Sequence, residues 1–471
     1  MFRSYIDYPV FLSTMLSKLL PIIFIASGLV ASQNSLSYAD EPNHCDVACQ
    51  IAYRQVLTME MDRWVNQNIT TDSFYSSPAN VSKYSTGDIL KWEKVPSDQA
   101  YRRWTVPAGI SLIRFFYMSE DIKGKPLPAT GIVLIPYSNP LGNKPFRTVV
   151  WTHGTAGGTR QCSPSNHRTI LYGWSAPFAL ALAGYVVIAP DYAGQGSEAQ
   201  GFMYEAGILH AADASLSVKA VRKALGSKIT KEWVVIGHSE GGMSSWRTNE
   251  REAKPEATGD LIGTVALSPG LVPSKIIKET IRRAEDGPAG DFLSSLLLQT
   301  VSKIYPSIKV EDYVSDIVLA RMPLADQGCF FTSASLYSNL TISQLYKNTS
   351  WIQHPDFIKW ESLYNGAGPH ELGAPLLVIQ GKEDPIVYPD TSEEAFDDTC
   401  KTYAKSTTAE YRLYPGLGHG AVLPASQQYF LSWIEDRFNK VSLKKGCKKL
   451  TLTPETDNFA PVNDEWVAII S

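Results

Sequence analysis

The segment GHSEG at positions 237–241 places Ser239 between two glycines. An apolar run, Trp233–Ile236, precedes it and a helix-like stretch, Glu240–Ala253, follows it. A serine on a tight strand-to-helix turn holds a strained backbone, and small residues two positions away on each side let such a turn close. The start of the helix also favours developing negative charge. The pattern predicts that Ser239 is a nucleophile, and an idle serine in a tight turn is the alternative.

A serine hydroxyl is a weak nucleophile until a base takes its proton, and the base needs an acid to orient it. Asp384 follows the apolar run Pro375–Ile379, and His419 lies further on in a glycine-rich loop. The order serine, acid, histidine is typical of the G-x-S-x-G motif. We therefore predict Asp384 as the acid and His419 as the base, with Glu383 as a competing acid and a surface histidine as the alternative for His419.

The negative oxygen formed during acyl transfer needs backbone N–H donors. The residue after the nucleophile, Glu240, is expected to supply one of them. The loop HGTAGG at 153–158 follows the strand-like run Arg147–Trp151, and its glycines let the backbone turn its amides toward a substrate. We predict Thr155 as the second donor, with Gly154 as the next candidate and an ordinary glycine-rich turn as the alternative. His238 is interpreted as packing or lining the pocket.

These residues require a frame of strands and helices to bring them together. From residue 109 onward, apolar runs of strand length alternate with helix-like segments such as Ala206–Leu225. Several runs are continuous in Val, Ile and Leu, which is typical of strands covered on both faces. The alternation predicts an α/β fold with a mostly parallel sheet flanked by helices. Residues 271–370 carry helical patterns and are predicted to be an insertion over the sheet. Asp191 comes before the nucleophile in the chain, so we interpret it as fixing a loop.

Length and composition are those of a globular protein. The chain has 471 residues, a 44% hydrophobic composition and a formal net charge of -4, which does not suggest a nucleic-acid surface. Arg3 and Lys18 precede the apolar run Leu19–Ala31, which predicts a signal peptide over 1–39 and an exported protein, extracellular or periplasmic. An uncleaved membrane anchor is the alternative. Six cysteines in an exported chain fit disulfides, although counting alone leaves their pairing open.

Other local signals are weaker. Cys45 and Cys49 with His44 could suggest a metal site, but no second cluster has matching spacing, and we predict neither metal nor cofactor. Possible N-glycosylation sites begin at Asn68, Asn80, Asn339 and Asn348.

Taken in order, the motifs resemble those of secretory lipases of the lipase-A-like group within the α/β-hydrolases. The matching segments are HGTAG from 153, CSPS from 162, DYAGQG from 191, GHSEG from 237, GKED from 381, GH from 418, WIEDRF from 433 and Cys447, within about 105–447. The resemblance implies an α/β-hydrolase fold, hydrolysis of acylglycerols or related esters without a cofactor, and a helical cap over 271–370. It also implies disulfides Cys162–Cys329 and Cys400–Cys447, which leaves Cys45–Cys49 as a pair. Glu240 and the tail 448–471 depart from the family pattern.

The predicted organisation is a signal peptide (1–39), an N-terminal extension (40–105), a core in two parts (106–270 and 371–447), the cap (271–370) and a C-terminal tail (448–471). The expected partner is a small-molecule or lipid ester, with transient contact to a lipid interface and no nucleic acid; the oligomeric state is left open. Two other functions remain: a serine exopeptidase on the same fold, and a catalytically inactive binding protein.

Overall fold

A computed structural model of the chain describes residues 42–198 and 201–461. Residues 42–46 belong to one compact unit, and the described residues from 47 onward belong to a second unit. The predicted signal peptide, 1–39, lies outside the described residues, as does the end of the tail, 462–471. Within the described ranges, no helix is both long enough and apolar enough to cross a membrane.

A ten-stranded sheet forms the centre of the second unit. Its strands are β1 (Ile89–Lys94), β2 (Ile110–Glu120), β3 (Pro126–Pro136), β4 (Phe146–Thr152), β5 (Val186–Pro190), β6 (Ile229–His238), β7 (Leu261–Leu267), β8 (Leu376–Gly381), β9 (Thr408–Tyr414) and β10 (Gly446–Thr451). Their spatial order is β1-β2-β3-β5-β4-β6-β7-β8-β9-β10. Every pair from β5 to β10 along this order is parallel, whereas β1, β2 and β3 pair antiparallel. The predicted mostly parallel sheet is thereby confirmed.

Fifteen α-helices connect and flank these strands within the described residues. They are α1 (Val47–Asp62), α2 (Ser97–Trp104), α3 (Pro177–Leu182), α4 (Gly207–Leu225), α5 (Glu240–Arg251), α6 (Pro273–Ala284), α7 (Ser294–Ile304), α8 (Val310–Tyr313), α9 (Asp316–Ala325), α10 (Phe330–Tyr337), α11 (Ile342–Leu345), α12 (Pro355–Trp360), α13 (Pro389–Thr402), α14 (Val422–Ala425) and α15 (Gln427–Phe438). Helices α6 to α12 lie in sequence between β7 and β8, within the stretch that the sequence analysis assigned to an insertion.

Both faces of the sheet are covered, as the continuous apolar runs require. Successive side chains of a strand point to opposite faces. Val234 of β6 packs in a cluster with Trp433 of α15, and its neighbour Val235 packs in a different cluster with Val218 of α4. All of these residues are buried. Because β4, β6, β8 and β9 run in the same direction within this sheet, their C-terminal ends lie at the same end of it, where active sites of such sheets form.

Two strands lie where none was predicted. β1 comes from the predicted N-terminal extension and pairs antiparallel with β2, and β10 spans the predicted boundary at 447 and pairs parallel with β9. Both are the outermost strands of the sheet. Edge strands carry polar and charged residues that discourage further pairing, so they lack an apolar run. The segments 40–105 and 448–471 are therefore partly built into the sheet, and Phe459 of the tail packs against the core.

Candidate active site

Ser239 lies between the end of β6 and the start of α5. Its backbone angles are φ 62° and ψ -124°, a conformation that is strained for a residue with a Cβ. The turn closes tightly: a Cβ added to Gly237 would lie 2.1 Å from Thr152 Oγ1, and one added to Gly241 would lie 2.1 Å from the Thr152 carbonyl oxygen. Only glycine fits at these two positions, which explains the spacing of the motif.

His419 and Asp384 meet at the ends of β9 and β8. His419 Nδ1 lies 2.8 Å from Asp384 Oδ2. The second carboxylate oxygen accepts the backbone N–H groups of Ile386 and Val387, each at 2.9 Å. Burial raises the pKa of Asp384, but the adjacent His419 and the backbone donors outweigh it, so the pKa is lowered overall. An ionised Asp384 accepts from Nδ1–H, which leaves Nε2 of His419 as the basic nitrogen.

The competing acid, Glu383, is exposed and points elsewhere. Its Oε2 accepts the backbone N–H of Gly416 at 2.5 Å, which braces the loop that leads to His419. Since Asp384 rather than Glu383 contacts the imidazole, the geometry favours Asp384.

The side chain of His238 contacts the backbone of His419. Burial lowers the pKa of His238 to about 3, so the ring is neutral. Its Nε2 lies 2.8 Å from the His419 carbonyl oxygen, and its Nδ1 lies 3.0 Å from the hydroxyl of Tyr172. The consistent assignment has Nε2–H donating to the carbonyl and Nδ1 accepting from Tyr172. His238, which the sequence analysis interpreted as packing or lining the pocket, thus connects the turn at Ser239 to the loop that carries His419.

The loop 153–158 packs directly against the turn at Ser239. A Cβ added to Gly154 would lie 3.2 Å from the Ser239 Cβ and 2.1 Å from the Tyr172 hydroxyl oxygen. Thr155 is buried beside this contact. Glu240 is the first residue of α5, where a backbone N–H has no acceptor within the helix. Both predicted oxyanion donors therefore belong to segments that adjoin Ser239.

A cavity of about 110 Å³ opens beside Ser239. Apolar residues of the helical stretch line much of it, among them Ile277 of α6 and Leu297 of α7. Two carboxyl groups also line it: Asp291, whose Oδ2 accepts the hydroxyl of Tyr346 at 2.7 Å, and Glu205, which lies in the loop before α4.

A second cavity, of about 70 Å³, is lined by Thr155, His238 and Gly420. This second cavity thus adjoins the loop of the predicted oxyanion donor Thr155 and the residue that follows His419.

Glu205 is the residue of this site that sequence reasoning missed. Its backbone N–H donates to Oε1 of Glu240 at 3.1 Å, which brings two buried carboxyl groups together next to Ser239. Burial raises the pKa of Glu240 to about 8, even though the Glu205 N–H favours its ionised form. No motif or periodicity marks the segment around Glu205, and only the departure at Glu240 could have drawn attention to it.

Asp191 is enclosed by hydrogen bonds away from the serine. Its carboxylate accepts the hydroxyls of Thr130 and Ser165, both at 2.6 Å, and the Ser165 backbone N–H at 2.9 Å. This is the loop-fixing arrangement that its place in the chain predicted.

Disulfides join Cys162 to Cys329 and Cys400 to Cys447, the two pairs that the resemblance implied. The first connects the loop before α3 to the start of α10 in the helical stretch. The pair Cys45–Cys49 stays a prediction. Across residues 42–198 and 201–461, no group of three or more His, Cys, Asp or Glu side chains is placed to hold a metal ion.

Comparisons with known proteins agree with this geometry. The model of the alpha/beta hydrolase family matches residues 149–430. Lipase 9 of Candida albicans is 23% identical over 81% of this chain and 85% of its own length, and the secreted triacylglycerol lipase LIP1 of Malassezia furfur is 22% identical over 80% and 77%.

Among solved structures, lipase A of Candida antarctica in its closed state superposes with a TM-score of 0.66 at 15% identity, covering 81% of this chain and 89% of that one. The rice cell wall degrading esterase LipA of Xanthomonas oryzae gives a TM-score of 0.59 at 16% identity, covering 76% and 99%. The predicted fold and the resemblance to this group of lipases are confirmed.

Proposed function

The chain belongs to the alpha/beta hydrolase family, and on that premise we propose that it is a secreted serine hydrolase that cleaves carboxylic esters with Ser239, His419 and Asp384. The observation that carries the proposal is the 2.8 Å contact between His419 Nδ1 and Asp384 Oδ2, at the same sheet edge as the strained Ser239. The names of the relatives, which include secreted triacylglycerol lipases, support both the reaction and export.

The reaction follows from the proton positions. His419 Nε2 takes the proton of the Ser239 hydroxyl as the oxygen attacks the ester carbonyl. Asp384, held by the N–H groups of Ile386 and Val387, stabilises the imidazolium that forms. The backbone N–H groups of Glu240 and Thr155 would bind the tetrahedral oxyanion. The imidazolium then protonates the leaving alcohol, and a water molecule, activated by the same nitrogen, hydrolyses the acyl-enzyme.

The substrate class is proposed from the apolar walls of the cavity. Ile277 and Leu297 offer an acyl chain the dispersion and desolvation gains of an apolar wall. We extend the proposal to esters of fatty acids, including acylglycerols, met through transient contact with a lipid surface.

The test compares hydrolysis of p-nitrophenyl esters of increasing acyl length by the wild-type protein and Ser239→Ala. We expect the rate of the variant to fall by at least about 10⁴-fold, because the acyl-enzyme cannot form. Ser245→Ala is the matched control: this serine lies in α5, which begins directly after Ser239, and its hydroxyl oxygen lies 2.9 and 3.0 Å from the carbonyl oxygens of Gly242 and Val265. An active Ser239→Ala protein, or a wild-type protein that cleaves no ester, would refute the proposal.

A further inference from the structure

Glu205 lines the cavity that opens beside Ser239, and its backbone has a conformation that residues with a Cβ rarely adopt. Its φ is 57°, although it carries a Cβ, and the residue is only 7% exposed. The backbone is fixed from two sides: the N–H donates to Glu240, and the carbonyl accepts Nδ2 of Asn365 at 3.0 Å. Strained residues that the surroundings hold in place are concentrated at binding sites. Here the residue with the strained backbone carries a carboxyl group that lines a largely apolar cavity.

The carboxyl group of Glu205 lacks a partner that would satisfy it. Within the described residues, its one hydrogen bond is a long contact of 3.4 Å from Asn365 Nδ2 to Oε2. The cation that faces it, Arg247, is engaged by Glu250 at 2.8 and 2.9 Å and by the Asn365 carbonyl oxygen at 3.0 Å. Oε1 therefore remains available to a ligand.

This available oxygen lies close to the nucleophile. A Cβ added to Gly270 would lie 3.3 Å from Oε1 of Glu205, and the Gly270 N–H is 3.5 Å from the Ser239 carbonyl oxygen. Glu205, Gly270 and Ser239 line the same cavity. Because Glu205 and Ser239 line one cavity, a substrate bound there can contact both side chains.

The electrostatic surroundings favour the protonated form of this carboxyl group. Burial raises its pKa well above the ordinary value, and the neighbouring Glu240 raises it further, against a smaller opposite effect of Arg247. The other ionisable neighbours, His210 beside Glu240 and Tyr204, add no positive charge, because burial lowers the pKa of His210 to about 3. A protonated carboxyl group has one O–H to donate.

We propose that Glu205 is a specificity-determining residue that donates a hydrogen bond to an oxygen atom of the substrate close to the scissile ester. The preferred substrates are then esters with a hydroxyl or second ester oxygen near the scissile carbonyl, such as esters of polyols or of hydroxy acids. Simple alkyl esters of the same size leave the donor unpaired in a largely apolar cavity, which is unfavourable. This inference rests on the proposed ester hydrolysis.

The experiment measures kcat/KM for two pairs of short esters: glycerol monobutyrate against propyl butyrate, and methyl 3-hydroxybutyrate against methyl butyrate. We expect the wild-type protein to prefer the hydroxylated ester in at least one pair. Glu205→Leu should lower that preference by about 3- to 10-fold, the contribution of one neutral hydrogen bond, while Glu205→Gln, which can still donate, retains most of it. Glu361→Gln is the control, because this buried carboxyl group binds Ser274 and lines a different cavity.

A preference that Glu205→Leu leaves unchanged, or its absence in the wild-type protein, would overturn the inference while the proposed ester hydrolysis stands. If the wild-type protein cleaves none of the four esters, it is ester hydrolysis that fails. Should Glu205→Leu not fold, the wild-type preference is measured as the pH is raised for a pair in which the extra oxygen can only accept, methyl 3-methoxybutyrate against methyl 3-methylpentanoate. Ionisation of Glu205 removes the donor to that oxygen, so this preference must decrease, and a preference independent of pH refutes the inference.

Discussion

The substitution Asp384→Asn tests how far the charge behind His419 determines activity. The amide oxygen of the new side chain could still accept the N–H groups of Ile386 and Val387, so the loop should keep its shape. The amide NH₂ would then stand where Oδ2 now receives His419 Nδ1–H at 2.8 Å and Gln380 Nε2–H at 3.0 Å, so that donor would face donor. The imidazole is expected to adopt the other tautomer, with its proton on Nε2, and cannot then take the proton of Ser239.

The expected loss is large because two effects combine. The base starts in the wrong tautomer, and the imidazolium loses an anionic partner that is 2% exposed and so little screened by water. The same change in serine-protease triads lowers kcat by about 10⁴-fold. At 1.36 kcal/mol for each factor of ten, a loss of about 10³- to 10⁴-fold corresponds to roughly 4–5 kcal/mol in the barrier.

The assay is the initial rate of p-nitrophenyl butyrate hydrolysis, with urea unfolding to check that the variant folds. Glu383→Gln is the matched control, since the adjacent carboxylate is exposed and contacts Gly416 rather than His419. It should retain activity within about twofold. If Asp384→Asn keeps more than about a tenth of the wild-type rate, or if Glu383→Gln loses as much as Asp384→Asn, the assignment of the acid is wrong.

Two further perturbations follow from the same contacts. As the pH rises through about 8, Glu240 loses its proton and places a negative charge beside the proposed oxyanion donors, so kcat/KM should fall. Glu240→Gln should remove or weaken this fall in a pH–rate profile. A Glu240→Gln profile identical to that of the wild-type protein would contradict the prediction. Removing the Cys162–Cys329 disulfide should lower the free energy of unfolding in urea by about 2–5 kcal/mol. This loss should exceed that from removing Cys400–Cys447 by roughly 1 kcal/mol, because Cys162 and Cys329 are 167 residues apart, whereas Cys400 and Cys447 are 47 residues apart. Equal losses would argue against loop closure as the cause.

The features that the sequence predicted most accurately are those that depend on burial and on the order of segments along the chain. β8 (Leu376–Gly381) falls on the apolar run Pro375–Ile379 of the sequence analysis, because a strand covered on both faces is rich in Val, Ile and Leu. The edge strands β1 (ILKWEK) and β10 (GCKKLT) have no such run, since Lys448 and its neighbours face solvent. Whether these segments join the sheet depends on the partner strand, and the local sequence pattern carries no information about that strand.

The same contrast separates the two parts of the site. Ser239, Asp384 and His419 each follow a strand, and the fold determines the order of these strands in the sheet. Three local patterns were therefore enough to predict that the residues lie at the same end of the sheet. The carboxyl pair depends on contacts among segments with no such rule: Glu205 in a loop with positive φ, Glu240 after the nucleophile, and Asn365 from the helical stretch. None of these residues is unusual by itself. The pKa values of the two carboxyl groups are raised only because the groups are buried together. The reaction type is therefore encoded in local motifs, whereas selectivity depends on long-range packing around them.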